Sequence, residues 1–513
     1  MQNNLLLLLI NNDIKSAAEL FVSLNDEKLN DTLEPILEYL VKTETDTDMI
    51  INKMISMTEV SGIDKINIIN GLLYNFSGIL FNAYIDDKET PSLKNSIFKL
   101  YENLYEPLFK LYKSDENSYR LNVINWHSEF ARYNFIFAKQ EEAIKQWETA
   151  KKLCCKYLNE DEDENILSNL YLVYFNLGLA YSYEDNKEQA LLNFLPYLFH
   201  LESDMKYSES NELEMDFATV CRNVAAVCAE ENKDYYLIKA FNIYYDYYKN
   251  HANEEDIQPV VDNLHEVLND LIGYFNSISN QKSEYIYLKF KYDFANVDLA
   301  NDATNIYTMV HYMNAGYAFC KFLIINKELF EEKRTEVLHK ESNTYSVNIS
   351  APIGEINIYD YMLEYYDNVK SLYEKYNDYR ISMGFADANL ILGKYNYFAN
   401  NPQKALTYLS QAKNILLEIL DGDREDLECI DKLYDVVYYQ RNCYSFDGQT
   451  ENMIDAVNEM IDIRKIALAI DETDVDLITD LAKTYLEAAE FCESHNFMKM
   501  AKKFNDSYNE LIG

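Results

Sequence analysis

The sequence predicts an all-α fold, an α-solenoid of antiparallel helix pairs, and three observations carry that reading. Apolar residues recur at helical spacing almost from end to end of the 513 residues. The interruptions are short polar clusters, such as Asn159–Asn165, Glu184–Lys187, Asn400–Pro402 and Asp421–Asp426, and helices joined by short loops pack antiparallel. Gly numbers 12 and Pro 7, too few for the tight turns of a β-sandwich or barrel. A chain of this length is large for one globule, whereas a solenoid buries each repeat only against its neighbours.

Taken in order, the first helices are expected at Asp13–Leu24, Asp26–Lys42, Asp64–Ile85, Pro91–Tyr112, Glu116–Phe137 and Glu141–Leu158. Pro35 and Pro107 are expected to kink or split two of them. Ile66–Ile85 carries no charge and reaches the roughly 20 residues that span a bilayer. Asn67, Asn70, Asn75 and Asn82 interrupt it, and amides are costly in lipid, so a buried repeat helix is the better reading. Gly71 and Gly78, two turns apart, mark a face where another helix could approach. One stretch departs from helical spacing: Thr344–Ile358 alternates Val347/Ile349 and Ile356/Ile358 around Pro352 and Gly354. It predicts one small β-like insert near 344–358, either a loop capping a groove edge or a partner-binding arm.

Charge narrows the partners. There are 86 acidic and 46 basic residues, a net charge of −40. Such a polyanion is repelled by nucleic-acid phosphates and anionic lipid, so neither nucleic acid nor membrane is an expected partner. The charge keeps an extended surface soluble and favours basic proteins or peptides through faster encounter. Eight Cys occur without a C-x-x-C pair, and Cys154 and Cys155 are adjacent. Cys221, Cys228, Cys320 and Cys492 fall in apolar helical runs and read as buried free thiols, which fits a reducing, cytoplasmic setting. The N-terminus lacks the basic flank of a signal peptide.

The repeat unit shows most clearly at Tyr174-x-x-Leu177-Gly178-x-x-Tyr181, followed by Ala190, Phe194 and Tyr197. Gly178 would let the second helix approach the first, Ala190 would sit at the closest crossing, and Tyr181 and Phe194 would fill the wedge. Related sets are Leu392-Gly393 with Ala405, Leu409 and Ala412, and Phe130-Ala131 with Ala143, Trp147 and Ala150. Weaker ones are Val224-Ala225 with Leu237, Phe241 and Tyr244, and Leu481-Ala482 with Tyr485, Ala501 and Phe504. This pattern resembles the tetratricopeptide repeat superfamily. The spacing is longer than that family's usual ~34 residues: Ala143 to Ala190 is 47 and Ala456 to Ala501 is 45. It is similar to the kinesin-light-chain type, whose second helix is extended. The resemblance covers roughly 116–250 and 359–513. The expected division is therefore a divergent helical region (1–115), tetratricopeptide-like repeats (116–250), irregular helical repeats (251–340), the insert (341–358) and C-terminal repeats (359–513).

In that family the first helix of each pair lines a concave groove. The resemblance implies a partner-binding surface at Phe175, Leu179 and Tyr183, at Arg222, and at Asp387, Leu390, Lys394 and Tyr397. The family's carboxylate clamp needs Lys or Arg with Asn four residues on. The matching places hold Phe175 and Leu179 in one register, or Leu172 and Asn176 in the other, so a C-terminal carboxylate is not the expected ligand. Burial of Phe175 and Leu179 against neighbouring helices is an equally ordinary outcome.

No catalytic residue, metal ligand or cofactor is predicted. The seven His share no ligand spacing, and phosphate-cradling glycine loops and nucleophile elbows are absent. Asp421-Gly-Asp423 begins like a calcium loop but has Asp426 at its sixth position and Lys432 at its twelfth. The 45 Tyr cluster beside Asp and Glu, which suits helix packing with wet hydroxyls rather than base stacking. The expected function is a non-catalytic protein-interaction scaffold or adaptor holding a peptide or protein in the groove. Two alternatives stand beside it: an acidic regulator or inhibitor occupying a basic protein surface, and a regulatory subunit of an enzyme complex.

Overall fold

The computed structural model describes residues 4–24, 26–42, 47–86, 91–112, 116–207, 210–252, 257–326, 357–423 and 425–512. Among them every regular element is helical. The alternating stretch 344–356 lies outside the described residues, and Ile358 opens a helix. The chain forms two compact units, residues 1–267 and 268–513.

The first unit contains α1 (Asn4–Ile10), α2 (Ile14–Val22), α3 (Asp26–Lys42), α4 (Thr47–Ser56), α5 (Lys65–Asn70), α6 (Ser77–Asp86) and α7 (Pro91–Tyr112). It continues with α8 (Glu116–Ile136), α9 (Gln140–Leu158), α10 (Glu164–Tyr183), α11 (Lys187–Asp204), α12 (Asn211–Val227) and α13 (Glu230–His251). The next helix, α14 (Gln258–Ser277), carries the chain into the second unit. There follow α15 (Gln281–Asn301), α16 (Ile306–Ile325), α17 (Ile358–Lys375), α18 (Tyr379–Phe398) and α19 (Pro402–Gly422). The last four are α20 (Leu427–Phe446), α21 (Thr450–Ile470), α22 (Val475–Ser494) and α23 (Met498–Ile512). Consecutive helices pack as pairs, α8 with α9, α10 with α11, α12 with α13, α18 with α19, α20 with α21 and α22 with α23.

One turn recurs at the pair junctions. Asn12, Ala138, Asp185, Ser279, Asn400, Gly448 and Asn496 have φ of 54° to 68°, each two residues before the next helix begins. The following N–H donates to a carbonyl five residues back, for example Lys139 to Asn134 (2.8 Å), Asn186 to Tyr181 (2.8 Å), Asn401 to Asn396 (2.8 Å) and Phe497 to Cys492 (2.7 Å). This is a Schellman closure, which satisfies the orphan carbonyls of the first helix and reverses the chain. Between pairs the entry is different: Asp163 caps α10 by accepting from Asn165 N (2.9 Å), and Asp474 caps α22 by accepting from Asp476 N (2.8 Å). The acidic run at 159–165 thus supplies a helix cap.

Within a pair, the close approach is made by small residues. A Cβ on Gly178 would overlap the Phe194 ring, and one on Gly393 would meet Leu409 Cγ at 2.7 Å. Ala190, Phe194 and Ala405 are fully buried, as are the neighbouring Ala143 and Ala150 against Trp147. Gly178→Ala is therefore expected to destabilise by about 1–2 kcal/mol, the overpacking cost exceeding the helix-propensity gain. Gly273, with nothing near its missing Cβ, is the contrast: Gly273→Ala is expected to stabilise by about 0.5–1 kcal/mol. Urea unfolding of both variants checks this, and a shift of the same sign in both would refute it.

Helices α1–α8 share one core, in which Leu33, Ile51, Phe76, Ile97, Tyr101 and Tyr133 are buried. The stretch Lys65–Ile85, which carries a charge at Lys65 alone, is the one described segment long and apolar enough to cross a membrane. In the structure Ile68, Ile69, Leu72, Leu73 and Phe76 face this core. A π-helical turn at Gly71–Phe76 leaves the Leu73 carbonyl to side-chain donors, Tyr101 OH at 3.1 Å and the Ser77 hydroxyl. Gly71 does admit a neighbour, its Cβ position lying 2.7 Å from Phe21, but Gly78 faces open space, so the two glycines do not mark a common contact face. Pro35 and Pro107 split nothing: α3 and α7 run through them. Cys221, Cys320 and Cys492 are buried free thiols, whereas Cys228 is only half-buried because it ends α12 rather than lying within it.

Candidate functional site

A cavity in the second unit has a volume of about 800 Å³. Its walls come from α16 (Val310, Met313, Asn314), from α18 and the residues before it (Asn377, Arg380, Met383, Asp387), and from α20 (Glu428, Lys432). The end of α19 and the turn after it add Ile415, Glu418, Ile419, Asp423 and Asp426. Helices α16, α18 and α20 lie side by side, α18 packing on both of the others.

Asp387 is the centre of the site. Helix α18 is covered on most sides, with residues 383–393 buried without a break, so a carboxylate at its midpoint is largely shielded from water. Asp387 is 6% exposed, and its Oδ2 accepts from Lys432 Nζ at 2.6 Å. Lys432 also pairs with Glu428, one turn earlier on α20, at 2.9 Å. Burial pushes the Asp387 carboxyl up to about 6 against the pull of Lys432. For Lys432, burial depresses the ammonium but Asp387 and Glu428 outweigh it, leaving it above its ordinary value. Burial and the Asp387 charge push the Tyr317 phenol, beneath Lys432, upward. The second Asp387 oxygen, Oδ1, has no hydrogen-bond partner among the described residues.

The other cation of the cavity is also engaged. Arg380 holds Asp378 in a two-point bond, Nε to Oδ1 at 3.0 Å and Nη2 to Oδ2 at 2.8 Å, which keeps the Asp378 carboxyl below its usual range. Asp378 additionally caps α18 by accepting from Arg380 N at 2.9 Å. A second rung joins α18 to α20 two turns along, Lys394 Nζ to Asp435 at 2.9 Å, with the Lys394 ammonium over the Tyr439 ring. Behind the cavity, Tyr365 of α17 donates to the Met313 carbonyl at 2.9 Å, its ring seated where a Gly316 side chain would be.

The groove residues expected from the sequence fall in varied places. Phe175 is half-buried, its ring 6.0 Å from Phe194 and 5.8 Å from Tyr197. Leu179 is half-buried, and Tyr183 is exposed beside Phe135. Arg222 pairs with Glu266 of α14. Leu390 is buried in the core, and Tyr397 is half-buried edge-on to Tyr439. Of the eight, Asp387 alone lines the large cavity, and Lys394 stands beside it through the second rung. Lys432 and Glu428 entered the sequence reading only as a missing calcium ligand or not at all. The signal that finds Lys432 is its spacing: it lies one 45-residue repeat after Asp387, on the next first helix. A smaller cavity of about 330 Å³ in the first unit is lined by Asn125, Arg132, Asn169, Leu172 and Asn176 among others. No group of His, Cys, Asp and Glu with metal-binding geometry occurs among the described residues.

The helix pairs, with Gly178, Ala190 and Phe194 at one crossing and Gly393, Ala405 and Leu409 at another, make the described residues an all-α array of consecutively packed helix pairs. No family model matches the chain. None of the curated proteins matches it in sequence. Among solved structures it is similar to a Rap protein complexed with competence and sporulation factor, at 12% identity over 76% of this chain and 98% of that one, with a TM-score of 0.28. It is similar to the apo quorum sensor NprR from B. thuringiensis at 10% identity over 87% and 100%, TM-score 0.29. A third is a STAND protein with a tetratricopeptide repeat sensor from Pyrococcus horikoshii, at 13% identity over 90% of this chain and 55% of that one, TM-score 0.30.

Proposed function

We propose that the chain is a non-catalytic protein-interaction scaffold that holds a protein or peptide segment in the cavity bounded by α16, α18 and α20. The supporting observation is the cavity's make-up: about 800 Å³, walled by three helices, with Met and Ile side chains interleaved with charged groups. Its volume falls in the range of ~300–1,000 Å³ typical of ligand sites. The charged groups are mostly tied into ion pairs rather than arranged as a nucleophile with its base. Eight free cysteines favour placement in the reducing cytoplasm.

A photo-crosslinker tests this. Benzoylphenylalanine in place of Tyr379, which is 64% exposed at the cavity, is compared in native cells with the same group at Tyr207, which is 88% exposed and not one of its lining residues. The expected result is a defined protein crosslinked from position 379 and not from 207. Identical products from both positions, or none from 379, would reject the cavity as the binding surface. The second reading, an acidic regulator occupying a basic protein, draws on the net charge of −40. It predicts crosslinks from both positions that vanish as salt rises.

A further inference from the structure

We infer that the cavity recognises an arginine side chain within an extended segment of its partner, the guanidinium donating to Asp387 Oδ1. The inference rests on the reading that this cavity holds a polypeptide, and it assigns the chemistry of the residue bound.

The argument begins with the orphaned oxygen. Asp387 is buried in the cavity wall, one oxygen bonded to Lys432 and the other to nothing among the described residues. A buried acceptor without a donor is costly, so a ligand that brings a donor to it gains more than it would at a solvated carboxylate.

The charge around the cavity selects the kind of donor. Lys432 is shared between Asp387 and Glu428, and Arg380 is closed on Asp378. Glu418, Asp423 and Asp426 line the mouth without an ion-pair partner among the described residues. Among the described residues Asp423 and Asp426 accept only backbone N–H bonds, from Glu425 (3.0 Å) and Cys429 (2.9 Å). A neutral amide would leave this mouth uncompensated, and an acidic side chain would be repelled.

The geometry favours guanidinium over ammonium. Asp387 already has an ammonium at 2.6 Å, and a second compact ammonium would crowd the first. A planar guanidinium spreads its charge, is more weakly hydrated, and offers five donors that can reach Asp387 Oδ1 and a mouth carboxylate together. Met313, Met383 and Ile419 supply apolar wall for its aliphatic stem. The cavity extends well beyond one side chain, which is why the occupant is a polypeptide segment rather than a free amine.

Peptide pools test the assignment on the full chain. Labelled, end-blocked nonapeptides carry Arg, Lys, citrulline or Glu at the centre and a randomised neutral background, and binding is read by anisotropy. The Arg pool is expected to bind about tenfold or more tightly than the citrulline pool, with Lys between them and Glu weakest. Asp387→Asn should abolish the Arg–citrulline difference. The rim variant Glu418→Gln/Asp423→Asn should weaken the Arg pool and flatten its salt dependence, and it decides the matter if Asp387→Asn fails to fold by circular dichroism. If all pools bind alike while position 379 still crosslinks a partner, the arginine assignment falls and the scaffold reading stands. If no pool binds, or if free agmatine competes as well as the Arg peptides do, the assignment also falls.

Discussion

Tyr365→Ala is expected to lower the stability of residues 268–513 by about 3–5 kcal/mol. The ring is wholly buried. It occupies the space that the missing side chain of Gly316 leaves on α16, and it lies beside Tyr312 with ring centroids 6.1 Å apart. Its hydroxyl donates to the Met313 carbonyl at 2.9 Å. Truncation opens a void between α16 and α17 that two helices with fixed neighbours cannot close. Tyr365→Phe keeps the ring and gives up only the hydrogen bond, an expected loss of about 1 kcal/mol. Far-UV circular dichroism in urea is the right measurement, because the two Trp, Trp126 and Trp147, both lie in the first unit and tryptophan emission does not report directly on α17. A loss below about 1 kcal/mol for the alanine variant would show that the crossing relaxes, contrary to the overlap at Gly316.

The helix-pair architecture was legible because it is written in local pattern: apolar period, small residues at the crossings, polar breaks. Gly178 and Gly393 were read as approach points and are so in the structure. The recurring turn was not legible. Its left-handed position is held by Asn, Ala, Asp, Ser or Gly at different junctions, so no residue type marks it, and only the backbone bond five residues back reveals it. The first 115 residues match no repeat because their core is shared across eight helices, α8 included, rather than built pair by pair. For the site, repeat register brought Asp387 to attention, but register cannot show depth. Asp387, Leu390 and Lys394 lie within two turns of α18, yet one lines a cavity, one fills the core and one reaches over to Asp435. That difference comes from α16 and α20 closing around α18, and α16 stands more than fifty residues upstream, with α17 between them.

The second large effect is expected at Lys432. Lys432→Met leaves the Asp387 carboxylate buried with its bonded cation removed, an expected loss of about 3–5 kcal/mol at pH 8. The pH dependence identifies the cause. The folded chain holds the Asp387 proton to about 6, above an unfolded carboxyl near 3.9. Between those values the folded state binds more protons than the unfolded, so this group's contribution to stability grows as pH falls through 6 and is lost as pH rises. Of its neighbours, Lys432 and Lys394 pull the carboxyl down and Glu428 pushes it up. Removing Lys432 therefore moves the upper edge of the window above 6. The deficit of the variant relative to wild type should be greatest at pH 8 and should shrink steadily towards pH 5, where Asp387 is neutral in both. Carboxylates out of reach of Lys432 titrate equally in both proteins and cancel from the difference. The double variant Asp387→Asn/Lys432→Met should recover most of the loss at pH 8, since the charge that needed Lys432 is gone. Urea unfolding of the three proteins across this pH range makes the comparison. A deficit that stays constant from pH 5 to pH 8 would mean that the Lys432 stem, not its charge on Asp387, supports the wall of the cavity.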